Sequence, residues 1–532
     1  MGEPAVDRSI ELLMASDPWA WCYHSGLRLA GGQYQIAGHE YQVEPMRCDD
    51  RVQVFKKATQ MGFTELLIIR ALHALKHGRY SQGAMYLFPT SDEVSLFSKS
   101  RFKPFLSANR AAIGQYVKET DSVDIKRVGD SFLYFRGARL SQTIEGAQKT
   151  SSKLKSTPVD AVFFDEFDEM DPEAEDLVLA RMEHSTVKER TYLANPTVPD
   201  FGIDKLWQQS DQRVWMIECD HCGRETCLEL EFPNCLKRQR DGSVIRVCKS
   251  CGGEIYPKDG FWVPQFPGKD ITGWWISHLN STYKEPKELL DAYENPDTDL
   301  VRFHNLNMGM AYIRAEDRLT VNDVLLTCGP DKMAMSSDGP CCMGVDVGGK
   351  LHVIIGQKIG EKGIKILKIS RVSTFEDVWD IAQKYRVQSA VFDLKPEIHK
   401  VREFCATAQY SCFGCDYSEE QKGVAAWNES NNVVTVNRTE ICDASHKLVT
   451  TPGRLELPRK DAEVEEFARE AVATAKVLEE DKKTGSMVYR YRKLGADHYR
   501  HALNYLLLAS VRIQAVARTG KGVVSESIRW VY

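Results

Sequence analysis

Residues 51–75 read RVQVFKKATQMGFTELLIIRALHAL. The opening run is short, apolar and β-prone, as a buried strand requires. The closing run places Leu66, Leu67, Ala71, Leu72 and Leu75 at helical spacing. Between them lies a tight loop containing Gly62, which lets backbone N–H groups approach a phosphate. Thr64, at the helix start, can offer its hydroxyl to Mg²⁺. The usual GxxxxGK[ST] pattern is not met, because Phe63 stands where its lysine belongs. Lys57 or Lys56, at the beginning of the loop, is the lysine whose flexible stem can reach the β- and γ-phosphates.

Working outward, further β-rich runs follow at AMYLFPT (84–90), SFLYF (131–135), DAVFFDE (160–166) and RTYLANPT (190–197), with helical stretches between them. Such alternation predicts an open α/β sheet with buried strands. The strand ending in Asp165–Glu166 puts one acid where it holds Mg²⁺ and the next where it orients the attacking water. The strand ending Ala194-Asn195-Pro196-Thr197 offers Asn195 as a sensor of the γ-phosphate. Together these predict an additional-strand P-loop ATPase. Gln42, upstream of the first strand, is a candidate reader of adenine through its amide. Arg101, Arg139 and Arg181 are candidates for an arginine presented to the γ-phosphate of a neighbouring subunit.

CDHCG at Cys219/Cys222 and CKSCGG at Cys248/Cys251 are two knuckles, each followed by a glycine that its turn needs. Four thiolates close a tetrahedral Zn²⁺ shell with no open position, so the ion is structural. Cys227 and Cys235 are spare, and Cys412/Cys415 is a buried pair rather than half of a second metal site. The basic stretch Lys237-Arg238-Gln239-Arg240 suits contact with DNA or with another subunit.

A second α/β segment opens with CCMGVDVGG (341–349), which carries Asp346 mid-strand. LHVIIGQK, GIKILKIS, a helix at FEDVWDIAQKY and the strand SAVFDLK follow, the last ending at Asp393. A late helix begins GADHYRHALNYLL, with Asp497 near its start. An acid in the first strand, one ending the fourth and one on a late helix make the ribonuclease H-like arrangement. Its three carboxylates hold two Mg²⁺ or Mn²⁺ ions that activate water and stabilise the leaving 3′-oxygen. His498 and His501 could assist metal or DNA, with helix-surface histidines the default reading. In KKTGSMVYRYRK (482–493), alternation puts Arg490 and Arg492 on one face and Tyr489 and Tyr491 on the other, a phosphate-contacting edge near the acids.

With 532 residues the chain is too long for one core and fits two large domains plus an insert. A net charge of −6 excludes a histone-like coat of cations but leaves room for a local basic groove. The first residues lack a signal peptide's basic start and apolar run, and no apolar run approaches a membrane span. Fifteen cysteines in what reads as a reducing compartment point to metal binding and burial rather than disulfides.

KATQMGFT (57–64), the strand with Asp165–Glu166, and ANPT (194–197) resemble the deviant Walker A, Walker B and coupling motifs of the large terminase subunits of tailed phages. FRGARLSQTIEGAQKTSSKLKSTPVDAVFFDE (135–166) resembles their lambda-like branch. Two departures stand out. The family's coupling motif usually begins with Ser or Thr, where this chain has Ala194, so the polar role falls to Asn195. The spacing to Gly62 favours Lys57 over Lys56 as the Walker A lysine.

The resemblance implies an ATP-driven translocase that moves double-stranded viral DNA into the procapsid, joined to a metal-dependent endonuclease that cuts concatemers. It further implies ATP, Mg²⁺ or Mn²⁺ and structural Zn²⁺ as cofactors. The implied partners are DNA, a small terminase subunit, a portal protein and other copies in a ring. The implied place is the host cytoplasm, with transient docking on the procapsid. By analogy, residues 1–25 would dock the small subunit and Ile528 to Tyr532 the portal.

The expected boundaries are an N-terminal helical segment (1–30), the ATPase domain (31–210), a zinc ribbon (211–258), a connector (259–335), the nuclease domain (336–515) and a tail (516–532). A host-type helicase–nuclease of DNA repair is the alternative, which would carry helicase motifs where the ribbon and connector stand. A zinc-ribbon DNA-binding module on inactive scaffolds is a second, and it would make Lys57, Glu166 and the three aspartates accidental.

Overall fold

Period-two alternation along buried strands decides which side chains share a face, and it places both sites of this molecule. The computed structural model describes residues 8–118, 122–140, 157–314, 318–360, 363–423, 425–480 and 487–518. It divides into two units, one running to Tyr312 and the other from Ile313 onward.

In the first unit an 11-stranded sheet carries the phosphate loop. Its strands are β1 (Val52–Lys57), β2 (Ala84–Phe88), β3 (Val117–Lys118), β4 (Ile125–Val128), β5 (Ser131–Gly137), β6 (Ala161–Asp165), β7 (Glu189–Ala194), β8 (Arg213–Glu218), β9 (Glu225–Cys227), β10 (Gly260–Pro264) and β11 (Thr272–Ile276). They lie in the order β9-β8-β11-β1-β7-β6-β2-β5-β4-β3, with β10 paired to β8. The six strands from β11 to β5 are mutually parallel. β7 separates β1 from the acid-bearing β6, which is the additional strand expected from the sequence.

Helix α1 (Phe63–Lys76) covers the face that buries Phe55, Tyr86, Phe163 and Leu193. Helix α2 (Gly202–Gln209) lies on the opposite face, with Val54, Phe164 and Tyr192. Helices Arg8–Ser16 and Pro18–His24 precede the sheet, and Trp21 of the second packs on His73 of α1.

The boundaries expected between 210 and 335 need correction. The segment taken for a connector supplies β11, which runs parallel to β1 in register Trp274↔Phe55. The ribbon's β8 continues the same sheet, pairing with β11. Residues 211–312 therefore belong to the first unit. TGWWI is too short and aromatic to announce itself as a strand, and its partner lies more than two hundred positions earlier.

The second unit has an 8-stranded sheet. β12 (Cys341–Val347), β13 (Leu351–Ile359) and β14 (Gly363–Val372) form an antiparallel meander. After helix α3 (Phe375–Lys384), β15 (Val387–Asp393) returns parallel to β12. After helix α4 (Ile398–Thr407), β16 (Ser411–Tyr417) adds parallel to β15. β17 (Ala426–Asn428), β18 (Val433–Val436) and, after helix α5 (Arg438–Thr450), β19 (Leu455–Glu456) complete the order β17-β18-β16-β15-β12-β13-β14-β19. Helix α6 (Ala462–Ala471) precedes a hairpin of β20 (Thr474–Glu480) and β21 (Met487–Lys493). This meander followed by parallel additions is the ribonuclease H-like order predicted from the acids.

Helix α7 (His498–Arg518) crosses the sheet against β12. It runs past the expected start of the tail at 516, and residues 519–532 lie outside the described ones. Among the described residues no helix is long and apolar enough to cross a membrane.

The contact of α7 with β12 requires Gly344. A Cβ there would sit 2.1 Å from the Ala502 carbonyl oxygen and 2.4 Å from the Leu506 nitrogen, so the helix would have to move. Gly344→Ala should destabilise the second unit by roughly 1–3 kcal/mol. Hydrogen exchange should quicken in β12 and α7 while nucleotide affinity stays unchanged. Wild-type exchange in that variant would show the close approach to be unimportant.

Candidate functional site

Lys57, Asp165 and Asn195 end, or directly follow, three neighbouring parallel strands: β1, β6 and β7. Alternation turns Phe55 and Lys57, Phe163 and Asp165, and Leu193 and Asn195 toward the α1 face. The side chains accordingly meet. Lys57 Nζ donates to Asn195 Oδ1 at 3.2 Å and lies 3.9 Å from Glu166 Oε1. Asn195 Nδ2 donates back to the Lys57 carbonyl at 2.8 Å.

Lys56 points to the opposite face. There it pairs with Asp204 at 3.3 Å and lies over the rings of Trp207 and Trp275. Burial pulls its ammonium down to about 8. Of the two lysines, Lys57 is thus the one that shares a face with Asp165 and Asn195.

Asp165 is buried, and its Oδ2 accepts from the Tyr86 hydroxyl at 2.8 Å. Its Oδ1 has no hydrogen-bond partner. Burial and the neighbouring Glu166 charge raise the carboxyl to about 6, with Lys57, Tyr86 and Thr64 opposing them. A buried carboxylate with an orphaned oxygen, a threonine hydroxyl beside it and a lysine nearby suit a Mg²⁺ bound with phosphates. Glu166 sits in the left-handed region at φ 58°, a cost that residues near reaction centres commonly bear. Its half-exposed carboxylate reaches from the strand end toward Lys57.

Gly62 caps α1 at φ 78°, and a Cβ there would lie 2.5 Å from Gln42 Nε2. Gln42 itself is buried. Its Nε2 donates to the Met61 carbonyl at 2.8 Å, and its Oε1 accepts from Tyr34 at 2.7 Å. Its amide braces the loop from behind, with both of its ends engaged.

Sequence reading missed the rest of the bracing. Thr59 N donates to the Leu306 carbonyl at 2.9 Å, and His278 Nε2 donates to the Thr59 carbonyl at 2.7 Å. Gly309, at φ 55°, passes so close that a Cβ would lie 2.6 Å from the Lys57 carbonyl carbon. Next to His278, Ser277 N, Ser277 Oγ and Asn280 Nδ2 all donate to Oε1 of buried Glu229, at 2.7–2.9 Å. Behind Asn195, Asp168 accepts from Thr197 N and Oγ1 and from Ile203 N, clamping the turn after β7. No sequence signal beyond the DEFD spacing marked Asp168, and none marked His278 or Glu229.

Of the three candidate arginines, Arg101 pairs with Glu65 on α1, Arg139 is exposed just beyond β5, and Arg181 is half-buried.

The four ribbon cysteines come together as expected, their sulfurs all within 4.8 Å of one another. Cys219 and Cys251 are 3.6 Å apart, and Cys222 and Cys248 are 3.7 Å apart. A tetrahedral ion with ligands at about 2.3 Å needs edges of roughly 3.8 Å, so Zn²⁺ fits. Gly223 and Gly252 take the positive φ of their turns, and Ser250 N and Gly253 N donate to the Cys248 and Cys251 sulfurs. Cys227, Cys235, Cys412 and Cys415 are buried apart from this cluster. Arg238 pairs with Asp291 and Glu294 of the helix Pro286–Glu294, which ties the basic stretch to its own unit.

In the second unit, alternation aims Asp346 of β12, His352 of β13 and Asp393 of β15 at the α7 face, the one lined by Cys342, Ile354 and Val391. Asp346 stands opposite His352, and the β12–β15 register Val345↔Phe392 brings Asp393 alongside. Burial and the Asp346 charge raise Asp393 to about 7. A buried acid and a half-buried one so placed call for a cation.

The first turn of α7 completes the centre differently from expectation. His498 Nδ1 donates to Asp346 Oδ2 at 2.8 Å, and its ring stacks on His352. The Asp497 carboxylate accepts from His501 at 3.2 Å and pairs with Lys493 at 2.8 Å, which hold it down at about 2 despite burial. Histidines read as helix surface thus join both acids, because Asp497 and His498, adjacent at a helix start, point in different directions. In the hairpin, Tyr491 is buried on Asp443 while Tyr489 is exposed. Residues 482–486 lie outside the described ones.

Residues 30–262 match the family model described as phage terminase large subunit gpA, ATPase domain. Among solved structures, the large terminase of bacteriophage HK97 is 10% identical, with a TM-score of 0.53, and the match covers 93% of this chain and 99% of that one. That likeness is one of fold. The ATPase domain of the large terminase of Thermus phage P74-26 is 11% identical over 53% of this chain and 95% of that one, with a TM-score of 0.30. No curated protein matches.

Metal analysis of the purified chain should find about one zinc. Glu229→Ala should raise the KM for ATP on the order of tenfold, with kcat less affected, by slackening the loop through His278. An unchanged KM would reduce Glu229 to a packing residue.

Proposed function

On the premise that this chain is a phage terminase large subunit whose residues 30–262 form the gpA-type ATPase domain, we propose how its two centres divide the work of packaging. The first unit hydrolyses ATP to drive viral double-stranded DNA into the procapsid. The second cuts concatemeric DNA with divalent ions. What carries this reading is the meeting of Lys57, Asp165, Glu166 and Asn195 at the carboxyl ends of three adjacent parallel strands, where open α/β sheets bind ligands.

Thr64 and Asp165 would hold the Mg²⁺ that screens the phosphate charge. Lys57 faces the β- and γ-phosphates from the foot of the loop, while backbone N–H groups around Gly62 receive phosphate oxygens. Glu166, exposed at the strand end, orients the attacking water. Asn195 bridges the Lys57 ammonium and the Lys57 carbonyl, so a change in the lysine's partners on γ-phosphate loss reaches the turn that Asp168 clamps. The coupling role expected of a leading Ser or Thr passes to Asn195.

In the second unit Asp346 and Asp393 would share the divalent ions that activate water and stabilise the leaving 3′-oxygen. Asp497 stays ionised at the start of α7, and Lys493 adds positive charge for a DNA phosphate.

The ribbon cysteines hold a structural Zn²⁺. DNA is contacted through its phosphates, cut-site choice being left to the small subunit, and the chain works as a ring on the portal. Residues 1–25 and 528–532 are the proposed docking segments, though 1–7 and 528–532 lie outside the described residues. The chain acts in the host cytoplasm and docks transiently on the procapsid.

Glu166→Gln should lower DNA-stimulated ATP turnover by about 10²–10⁴-fold while leaving metal-dependent plasmid cutting intact. Asp346→Asn should do the reverse. Retained turnover in the first variant, or undiminished cutting in the second, removes that residue from its role.

A further inference from the structure

One residue before Lys57, strand β1 buries a second ammonium on its other face. Lys56 is 4% exposed and Asp204 5%. The Lys56 ammonium pairs with Asp204 Oδ1 at 3.3 Å. It lies 3.6 Å from the centroid of the Trp207 ring and 4.4 Å from that of Trp275. In register with Lys56 stand Ala194 of β7 and Trp275 of β11, neither of them charged. Among the described residues the charge that acts on it is that of Asp204 on α2. An apolar side chain would pack on those rings at lower cost, because desolvating an ion pair commonly outweighs its attraction. What an apolar side chain could not supply is a directed contact.

That contact reaches the turn after β7. Asp204 Oδ2 accepts from Asp200 N at 3.1 Å and from Gln208 Nε2 at 2.8 Å. At the same end of α2, Asp168 accepts from Ile203 N at 2.6 Å, and a Cβ on Gly202 would lie 2.1 Å from Asp168 Oδ1. The segment from Asn195 to Asp204 is thus gripped at both ends by consecutive residues of one strand. Lys57 holds Asn195 on the α1 face, and Lys56 holds Asp204 on the α2 face.

We infer that Lys56 is a positioning residue for ATP turnover: through Asp204 it anchors the far end of the coupling segment, so that loss of the γ-phosphate displaces the turn at 196–201 rather than α2. This rests on the coupling role proposed above for Asn195. The anchor titrates. Burial lowers the Lys56 ammonium to about 8, with Asp204 opposing. The ion pair is therefore present below that pH and is lost as pH rises through it.

The test follows DNA-stimulated ATP turnover by the full-length chain between about pH 6.5 and 9.5, beside the binding of ADP. Near neutral pH, Lys56→Met should lower kcat about tenfold or more, with the Kd for ADP changed less than about threefold. Lys56→Arg, whose guanidinium stays protonated, should recover at least about a third of the wild-type kcat. The wild-type kcat should fall as pH passes about 8. That alkaline limb should be missing from Lys56→Met and displaced upward in Lys56→Arg. Asp204→Asn removes the charge that opposes deprotonation, so its limb should move to lower pH.

Normal turnover in Lys56→Met, or an alkaline limb that persists there unchanged, would overturn the assignment. Equal loss of turnover and ADP binding, without recovery in Lys56→Arg, would reduce Lys56 to a packing residue. Should Lys56→Met fail to fold, the limb of Asp204→Asn decides, and an unshifted one sinks the idea. If Asn195→Ala is impaired while Lys56→Met is normal, the Lys56 assignment falls alone. If Asn195→Ala turns over ATP like the wild type, the coupling reading itself falls.

Discussion

A carboxylate taken out of water must find a cation or a proton, and both halves of this chain are arranged around that constraint. In the first unit the unpartnered oxygen of Asp165 lies at the end of a wholly buried strand, with Glu166 next to it adding repulsion. In the second, Asp393 is raised to about 7 because it is buried beside Asp346. Apolar residues in these places would pack more favourably. On the proposed reading the acids are tolerable because a divalent ion would resolve the charge, at the phosphate groups of ATP in one case and of DNA in the other.

Much of this was legible in the strands themselves. A buried parallel strand has a fixed carboxyl end and a period of two, so an acid or amide in its last position is committed to one edge and one face. That is why KATQMGFT, FFDE and LANPT are legible from the sequence alone, and why Lys57 rather than Lys56 shares a face with Asp165. The same rule put Asp346 and Asp393 together. It did not reach Asp497, which depends on the direction of a side chain at a helix start rather than on alternation. There Lys493 and His501 captured the carboxylate, and the next residue, His498, turned toward Asp346. Nor did it reach β11, whose place beside β1 is set by long-range pairing that no local pattern in TGWWI announces.

The misjudged connector changes the view of the zinc ribbon. A ribbon hung between two domains would suggest an appendage for binding partners. Here its hairpin continues the ATPase sheet, and the residues just after β9 deliver Glu229 into the core. One oxygen of Glu229 receives three hydrogen bonds from Ser277 and Asn280, and His278 between them holds the Thr59 carbonyl in the phosphate loop. Four cysteines gathered within reach of one ion, which would fasten them, thus stand in a small lobe whose neighbour holds the loop. In a fold whose loop lacks the usual lysine after glycine, such external fixing has an evident use, because the loop's shape must be imposed from outside its own sequence.

Coupling within the first unit follows from the same economy of contacts. Asn195 uses both ends of its amide on one residue, accepting from the Lys57 ammonium and donating to the Lys57 carbonyl. On the proposed reading, a lysine that releases a departing phosphate would free an N–H, and Asn195 Oδ1 is already in place to accept it. Serine or threonine at the preceding position, which would be Ala194, could not span both groups, since that side chain lies on the other face of β7. Two residues on, Thr197 is fixed by Asp168 from the loop after β6, and the Thr197 carbonyl accepts from Asn305, one residue before Leu306, which holds Thr59. The chain of contacts from Asn195 to the turn and back to the loop is therefore closed, so on the proposed reading a small displacement at the nucleotide would reach the surrounding turns as a single event.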